Sequence, residues 1–481
     1  MSAPLSEAAP PAATAPARQG ALVRRPGTAL RARGPRPGPA LAVIAGANAT
    51  IHLDDPLMNV ALPGIRAELH LTALSASWVI GAHLLAFGGL LLLGGRAGEV
   101  LGRRRVFVSG LVVFTLAGLL RALAPNGELL IAVRAAEGAG AALVAANGFV
   151  LMLDAFPRGP ARKKAIAVCT AAGAASTAGG LLLAGALTSV GSWRWVVLLN
   201  VPLGLVLALL APRVLAESAR IPGRFDAAGA VLSALGAASL VYGLSQAVER
   251  PWSSLQVAGP LASGAALLAL FVRVQRHTAQ PIVRLGLFRD RNRALAYASM
   301  LAVPGAVIGA YFFLSQFFQQ DRGWSPLAAA LALLPVPLTT AALVGFAVRE
   351  ERALGAKRVM AIGAAALLLE NLWLTRLGPE DPYATAVLPA LVLLGAGLAF
   401  CAVPATVLAT SGLKAEETGS TGSVLNACQA VGGSLCVALL VTASSGHGSL
   451  PEAMSAGFAA AAACGAAVLA LALGLRSRPR S

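Results

Sequence analysis

Long apolar runs alternate with short polar connections along almost the whole chain. The runs fall at roughly 41–62, 76–95, 106–124, 128–153, 165–189, 195–215, 227–247, 254–274, 294–317, 326–348, 357–376, 384–409, 421–443 and 454–475. A helix needs about 20 residues to cross the hydrocarbon core of a bilayer. The pattern therefore predicts an all-α polytopic membrane protein with fourteen transmembrane helices. Residues 1–39 are rich in Pro, Ala and Arg and contain no apolar core. They read as a disordered tail without the h-region of a signal peptide, so the first spanning helix is expected to target the chain.

Composition supports this reading. Of 481 residues, 57% are hydrophobic and only 12% charged, far from the balance of a soluble domain. The net charge of +17 would suggest nucleic acid if a folded soluble domain were left to present it, and none is. The cations instead sort by side. Alternate connections, beginning with the tail, hold most of the 38 Lys and Arg, whereas the opposite connections hold Arg66, Arg121, Arg194, Arg250, Arg322 and Arg376. This positive-inside asymmetry places both termini, including residues 477–481, in the cytoplasm of a cell bounded by this membrane. Trp193 and Trp195 should then stand at the outer interface. The five cysteines lie in apolar segments without CxxC spacing, which suggests neither a disulfide framework nor a metal site. No cofactor motif is present either, and a monomer in the bilayer is expected.

Charged side chains inside spans are costly, about 2.5–3.5 kcal/mol each at the helix centre, and so mark function. The candidates are Asp54 and Asp55 in the first run, Arg134 and Glu137 in the fourth, and Glu370 in the eleventh, with His52 and His83 as titratable neighbours. Arg134 and Glu137 are three apart, on one helical face, and could simply pair with each other. Asn48, His52, Asp55 and Asn59 form a polar stripe at helical spacing, which should face a cavity that also takes Glu370. Asp54 stands off that stripe by about 100°, one residue's rotation. Pro56 is expected to make the helix irregular there, because it removes the amide that would bond the carbonyl of His52.

Two further stretches stand out. The connection GGRAGEVLGRRR, residues 94–105, should turn on its glycines, with Glu99 accepting from helix N-termini or pairing with Arg103. The fifth run, GAASTAGGLLLAGALT, is rich in small residues that let helices approach closely.

These segments carry a family likeness. LDDPLMNVALP, residues 53–63, resembles the first-helix motif LDxTIVNVALP of the fourteen-spanner drug:proton antiporters of the major facilitator superfamily, with Asp54 at the family's acid. GRAGEVLGRRR is similar to the loop motif GxLxDRxGRRR, with Glu99 where aspartate is usual; Gly95, Gly102, Arg103 and Arg104 complete it. RAAEGAGAA resembles RxxQGxGAA, with Glu137 in place of glutamine. GLLLAGALTSVGSWRWVVLLNVPLG resembles the fifth-helix antiporter motif running into SWRWxFxxNVPxG; Gly180 and Gly185 match, Leu181 replaces the proline and Ala184 the first glycine of a pair. ETGSTGSVLNACQAVGGSLCVAL resembles the penultimate helix.

The resemblance implies two six-helix bundles, residues 40–215 and 291–476, with residues 216–290 as an inserted helix pair and linker. It also implies alternating access around a midplane cavity and export of a hydrophobic, cationic drug or antibiotic in exchange for protons. Asp54 would carry the proton by motif, Asp55 by stripe, with Arg134 and Glu137 tuning it. A narrow exporter of an endogenous antibiotic or metabolite, or a proton symporter, fits the same fold. An ATP-driven pump does not, because GxxxxGK[ST] is absent, and no catalytic cluster suggests an enzyme.

Overall fold

The computed structural model describes residues 37–156, 159–218, 226–247, 250–278, 281–283, 285–411, 415–445, 447 and 449–476. The tail through residue 36 and the end at 477–481 lie outside them, as do the side chains of Asp55 and of 415–423.

Among the described residues the chain is helical throughout. The first group is α1 (Pro37–Glu68), α2 (Ala73–Leu101), α3 (Arg103–Ala122), α4 (Gly127–Ala155), α5 (Pro160–Val190), α6 (Trp193–Leu198) and α7 (Asn200–Val214). A hairpin, α8 (Ala227–Gln246) and α9 (Leu255–His277), follows. The last group is α10 (Arg291–Gln316), α11 (Pro326–Leu333), α12 (Pro335–Leu354), α13 (Ala356–Leu374), α14 (Leu388–Thr410), α15 (Ala415–Ser444) and α16 (Leu450–Leu473). Twelve spans, counting α6 with α7 and α11 with α12, are long and apolar enough to cross a membrane by length and composition; α1 and α13 are not among the twelve.

Local chemistry explains the boundaries. Thr72, Asn126, Ser192, Asp226, Asp290, Ser325 and Ser449 each accept a backbone N–H in the first turn of the helix they open. Between α11 and α12, Pro335 cannot supply the amide that the carbonyl of Leu331 needs, and the N–H of Leu334 bonds it instead at 3.3 Å. Helix α1 continues through both Pro56 and Pro63. The predicted connection at 94–105 is also corrected, since α2 continues to Leu101 and only Gly102, at φ +109°, separates it from α3.

Helices α1 to α7 pack among themselves, chiefly α2 on α4, α3 on α4 and α1 on α5, and α10 to α16 do likewise. The α8–α9 hairpin leans on α2 and α15, with Gly236 and Gly264 letting its two helices touch at backbone distance. Outward rows such as Val112, Leu116, Leu119 and Leu120 on α3 and Leu205, Val206 and Leu209 on α7 remain exposed. Such an apolar belt suits lipid and not water.

The first and last groups meet in two places. Along α2 and α15, Gly88 sits against Val431, and Ser434 donates to the carbonyl of Gly81 at 2.9 Å. At the end where α1 finishes, Gly185 of α5 abuts Leu327 and Ala330 of α11, and Ser189 Oγ accepts the N–H of Leu327 at 3.2 Å. There too the π-helical turn at Phe317–Asp321 reaches α1.

Candidate functional site

The charged side chains of the first group converge on one point. Asp54 of α1 accepts from Arg121 of α3 at 2.7 Å through Oδ1, from Arg134 of α4 through Oδ2, and from the Asn200 amide at 3.0 Å through Oδ1. Glu137, one turn beyond Arg134 on α4, accepts with Oε2 from Arg121 at 2.8 Å and from Arg134 at 2.7 Å. The Nε of Arg134 also donates to the carbonyl of Val79 in α2 at 2.9 Å. Asp54, Arg121 and Glu137 are 0% exposed and Arg134 1%.

Two carboxylates thus face two guanidiniums, and the charges balance. Balance is required here, because a buried ion without a partner is far costlier than a paired one. Helix packing holds the four together. Gly138 lies so close to the carbonyl of His83 that a Cβ would overlap it, which draws α4 onto α2 and brings His83 into the cluster. A ring nitrogen of His83 and one carboxylate oxygen each of Asp54 and Glu137 lie within 4.8 Å of one another. The guanidiniums engage both oxygens of Asp54 and Oε2 of Glu137.

Several sequence expectations change here. Arg121, assigned to an outer connection by its charge, is instead inside the cluster, in the last turn of α3. Asn200, which opens α7, was not singled out although it lies in the NVPLG stretch. Arg134 and Glu137 do pair at i, i+3, but within a larger network.

The polar stripe lies elsewhere. Asn48 donates to the carbonyl of Cys169 in α5 at 3.3 Å, and the ring of the exposed His52 lies beside Gly173 of α5. Asn59 accepts a bond through its carbonyl from Ser315 of α10. Glu370 is not gathered with them: it is fully buried in α13, where Asn371 donates to it at 2.5 Å and also contacts the carbonyl of Ala306.

The Gly-rich turn also departs from expectation. Glu99 pairs with Arg96 at 2.6 Å, not with Arg103, which opens α3. Arg104 reaches across to the end of α7, donating to the carbonyl of Leu215 at 3.2 Å, while its backbone N–H donates to Glu217 at 3.0 Å. Gly95 approaches Ala146 of α4, and Gly98 sits hard against Asn147. On α5, Gly180 is seated on the backbone of Leu53 and on Pro56, with Leu181 buried beside it. Trp193 is buried and donates to Glu68 at 2.7 Å, whereas Trp195 is exposed.

Residues 42–437 match the sequence model of the Major Facilitator Superfamily. The chain belongs to that superfamily. A cephamycin export protein of Amycolatopsis lactamdurans is 36% identical over 424 residues, covering 86% of this chain and 87% of the relative. A puromycin resistance protein of Streptomyces alboniger is 36% identical over 428 residues, 86% and 84% of the two chains. The uncharacterised transporter EfpA of Mycobacterium tuberculosis is 35% identical over 408 residues, 83% and 76%. Among solved structures, an auto-inhibited peptide transporter of the POT family superposes with a TM-score of 0.69 over 92% of this chain and 98% of its own, at 16% identity. The nucleoside transporter NupG gives 0.63 over 90% of this chain and 98% of its own, at 11% identity. At such identities these two share the fold alone. Homologues of this superfamily member are named as antibiotic and multidrug efflux or resistance transporters, and the chain is a multi-pass membrane protein of the transporter class.

Proposed function

We propose that this chain is a proton-coupled efflux transporter of the cell membrane that exports hydrophobic, cationic drugs or antibiotics by alternating access. In this reading α1 and α13 are the two further crossings that bring twelve spans to fourteen, the ends lie in the cytoplasm, and the α8–α9 hairpin is the inserted pair. The observation that carries it is the buried balanced cluster of Asp54, Glu137, Arg121 and Arg134. A charge set at membrane depth between four helices has no value as packing, but it gives a proton a place to bind at an energetic cost that a substrate's arrival can change. The names of the relatives support export and resistance.

Contacts between the two helical groups at the end of α1 support an arrangement closed on that side, with Asn48 and His52 toward a cavity open to the cytoplasm. Protonation of the cluster alters the hold of α3 on α4, and the two groups then rock. The proton gradient supplies about 1.4 kcal/mol per pH unit. The membrane potential adds about 2.3 kcal/mol per 100 mV for each charge moved.

A second reading, a narrow exporter of one antibiotic, is favoured by the relatives named for cephamycin and puromycin. Everted vesicles carrying the protein test both readings. Dissipation of an imposed pH gradient on adding ethidium is expected for the broad antiporter. A response to puromycin without one to ethidium and similar cations would replace it with the narrow reading. No response to either compound would sink both.

A further inference from the structure

The buried cluster holds two acids, and they are not equivalent. Both oxygens of Asp54 are engaged, by donors from three helices: Arg121, Arg134 and Asn200. Glu137 is engaged through Oε2 alone, and its Oε1 is buried without a hydrogen-bond partner. Gly118 of α3 lies beside that oxygen, where a Cβ would stand 3.9 Å from Oε1. From α2, His83 brings a ring nitrogen within 4.8 Å of one carboxylate oxygen of Glu137, and its Nδ1 is buried without a hydrogen-bond partner. Phe87 stacks on the ring's far side.

We infer that Glu137, with His83 beside it, is the group that takes up the transported proton, and that Asp54 is its permanently ionised counter-ion. A proton arriving at Asp54 has to displace a guanidinium or amide N–H from the oxygen it binds. At Oε1 of Glu137 a new O–H bond forms on an atom that accepts nothing, while Oε2 continues to accept from both arginines. No existing hydrogen bond is broken, the carboxylate goes from one negative charge to none, and the His83 ring stands beside it. Titratable and charged groups facing Glu137 are Asp54 from α1, His83 from α2, Arg121 from α3 and Arg134 on its own helix. With Glu137 neutral the two guanidiniums share only Asp54, so their hold between α3 and α4 slackens while their hold on α1 remains. That difference provides the step by which protonation biases reorientation.

This inference rests on the proton-coupled reading for its purpose, but its test does not. Purified protein, the Glu137→Gln variant and the Asp54→Asn variant are titrated with acid in detergent and followed by infrared difference spectroscopy. The carbonyl band of a protonated carboxylic acid reports directly on the group that takes the proton. Glutamine keeps the shape of Glu137 and a hydrogen-bond acceptor for both arginines, and near-ultraviolet circular dichroism checks that each variant is folded. A titrating band present in the native protein and in Asp54→Asn, at a shifted pH, but lost in Glu137→Gln is the expected result. Asp226 and Glu370, which are also buried, keep their contributions in all three proteins. A band retained in Glu137→Gln and lost in Asp54→Asn, or no titrating band in the native protein, overturns the inference. If vesicles show no proton movement with ethidium or puromycin while the band still belongs to Glu137, the coupling reading falls and the proton site stands.

Discussion

Ser315 donates its hydroxyl to the backbone carbonyl of Asn59 at 3.0 Å, across the boundary between α10 and α1. That carbonyl is the one Pro63 leaves without a helical donor, because residue 63 has no amide hydrogen. Gln319, in the π-helical turn that ends α10, bonds Ser315 Oγ at 3.0 Å and the carbonyl of Val60 at 3.4 Å, and Gln316 accepts from Arg66 at 3.3 Å. A defect in one helix is thus completed by a side chain of the other, and it latches the two groups on one side of the molecule.

The latch should bias the conformational equilibrium. A net hydrogen bond is worth about 1 kcal/mol, so Ser315→Ala should shift the population toward opening on this side by about fivefold. Spin labels at Ala67 and Gln320, which belong to different helical groups and both line a cleft of about 560 Å³, should show a longer distance component. Pro63→Ala supplies the missing amide, so the effect of Ser315→Ala should shrink in that background. An unchanged distance distribution in Ser315→Ala would show that the bond is incidental.

Gly185 and Gly180 lie on the same helix and predict opposite readouts. A Cβ at Gly185 would stand 2.7 Å from Leu327 Cα and Ala330 Cβ, in the other helical group, whereas one at Gly180 would stand 2.9 Å from the carbonyl of Leu53, in the same group. Overpacking costs about 1–3 kcal/mol. Gly185→Ala should lose that from the closed arrangement alone, again lengthening the distance between Ala67 and Gln320 with little change in melting temperature. Gly180→Ala strains every conformation and should lower the melting temperature. Identical behaviour of the two variants would contradict the placement of Gly185 at a moving boundary.

The spans were legible because twenty apolar residues in a row have few other uses, and Arg134 and Glu137 were legible because ions inside such a run demand a reason. Arg121 was not. It stands near the edge of its run, a few residues before the polar stretch at Asn126, and charge counting treats such an arginine as a loop cation; only the packing of α3 on α4 turns it inward. The split between Asp54 and Asp55 was undecidable from helical spacing, because the stripe with Asn48 and His52 and the cluster with Arg134 sit on different sides of α1. Resemblance chose Asp54, and the geometry gives it its partners. Glu370 drew notice through its depth alone, and the structure shows it accepting from the adjoining Asn371, which also contacts the backbone of α10.

At the end of α1, Glu68 accepts from Arg194 and from the indole of Trp193. The Arg194 hydrogen bond, aided by Trp193 and opposed by slight burial, holds its carboxyl below the usual value of 4.5. A depressed folded-state value means that the stabilisation is present above about pH 4.5 and is lost as the pH falls through the lowered value. Glu68→Gln should therefore melt below the native protein at pH 7, and the gap should close on acidification below 4.5. The pair is largely solvent-exposed, so the gap is small and shrinks in salt. A gap that persists unchanged at low pH would assign it to packing of Trp193 instead of charge.

The cluster itself makes the largest stability prediction, and its sign depends on how many charges are removed. Arg121→Leu takes one cation from a balanced set of four and leaves Asp54 and Glu137 facing Arg134 alone. Breaking a buried pair from one side costs about 3–5 kcal/mol, so this variant should unfold at far lower temperature in detergent, or fail to accumulate. Arg121→Leu combined with Glu137→Leu removes one charge of each sign, leaves Asp54 paired with Arg134, and fills the space with hydrocarbon. Buried pairs replaced by apolar residues are often neutral or better. The double variant should therefore recover most of the lost stability while losing the titrating carboxyl. If it is instead as unstable as the two single losses added together, the four side chains are held by packing and not by charge balance.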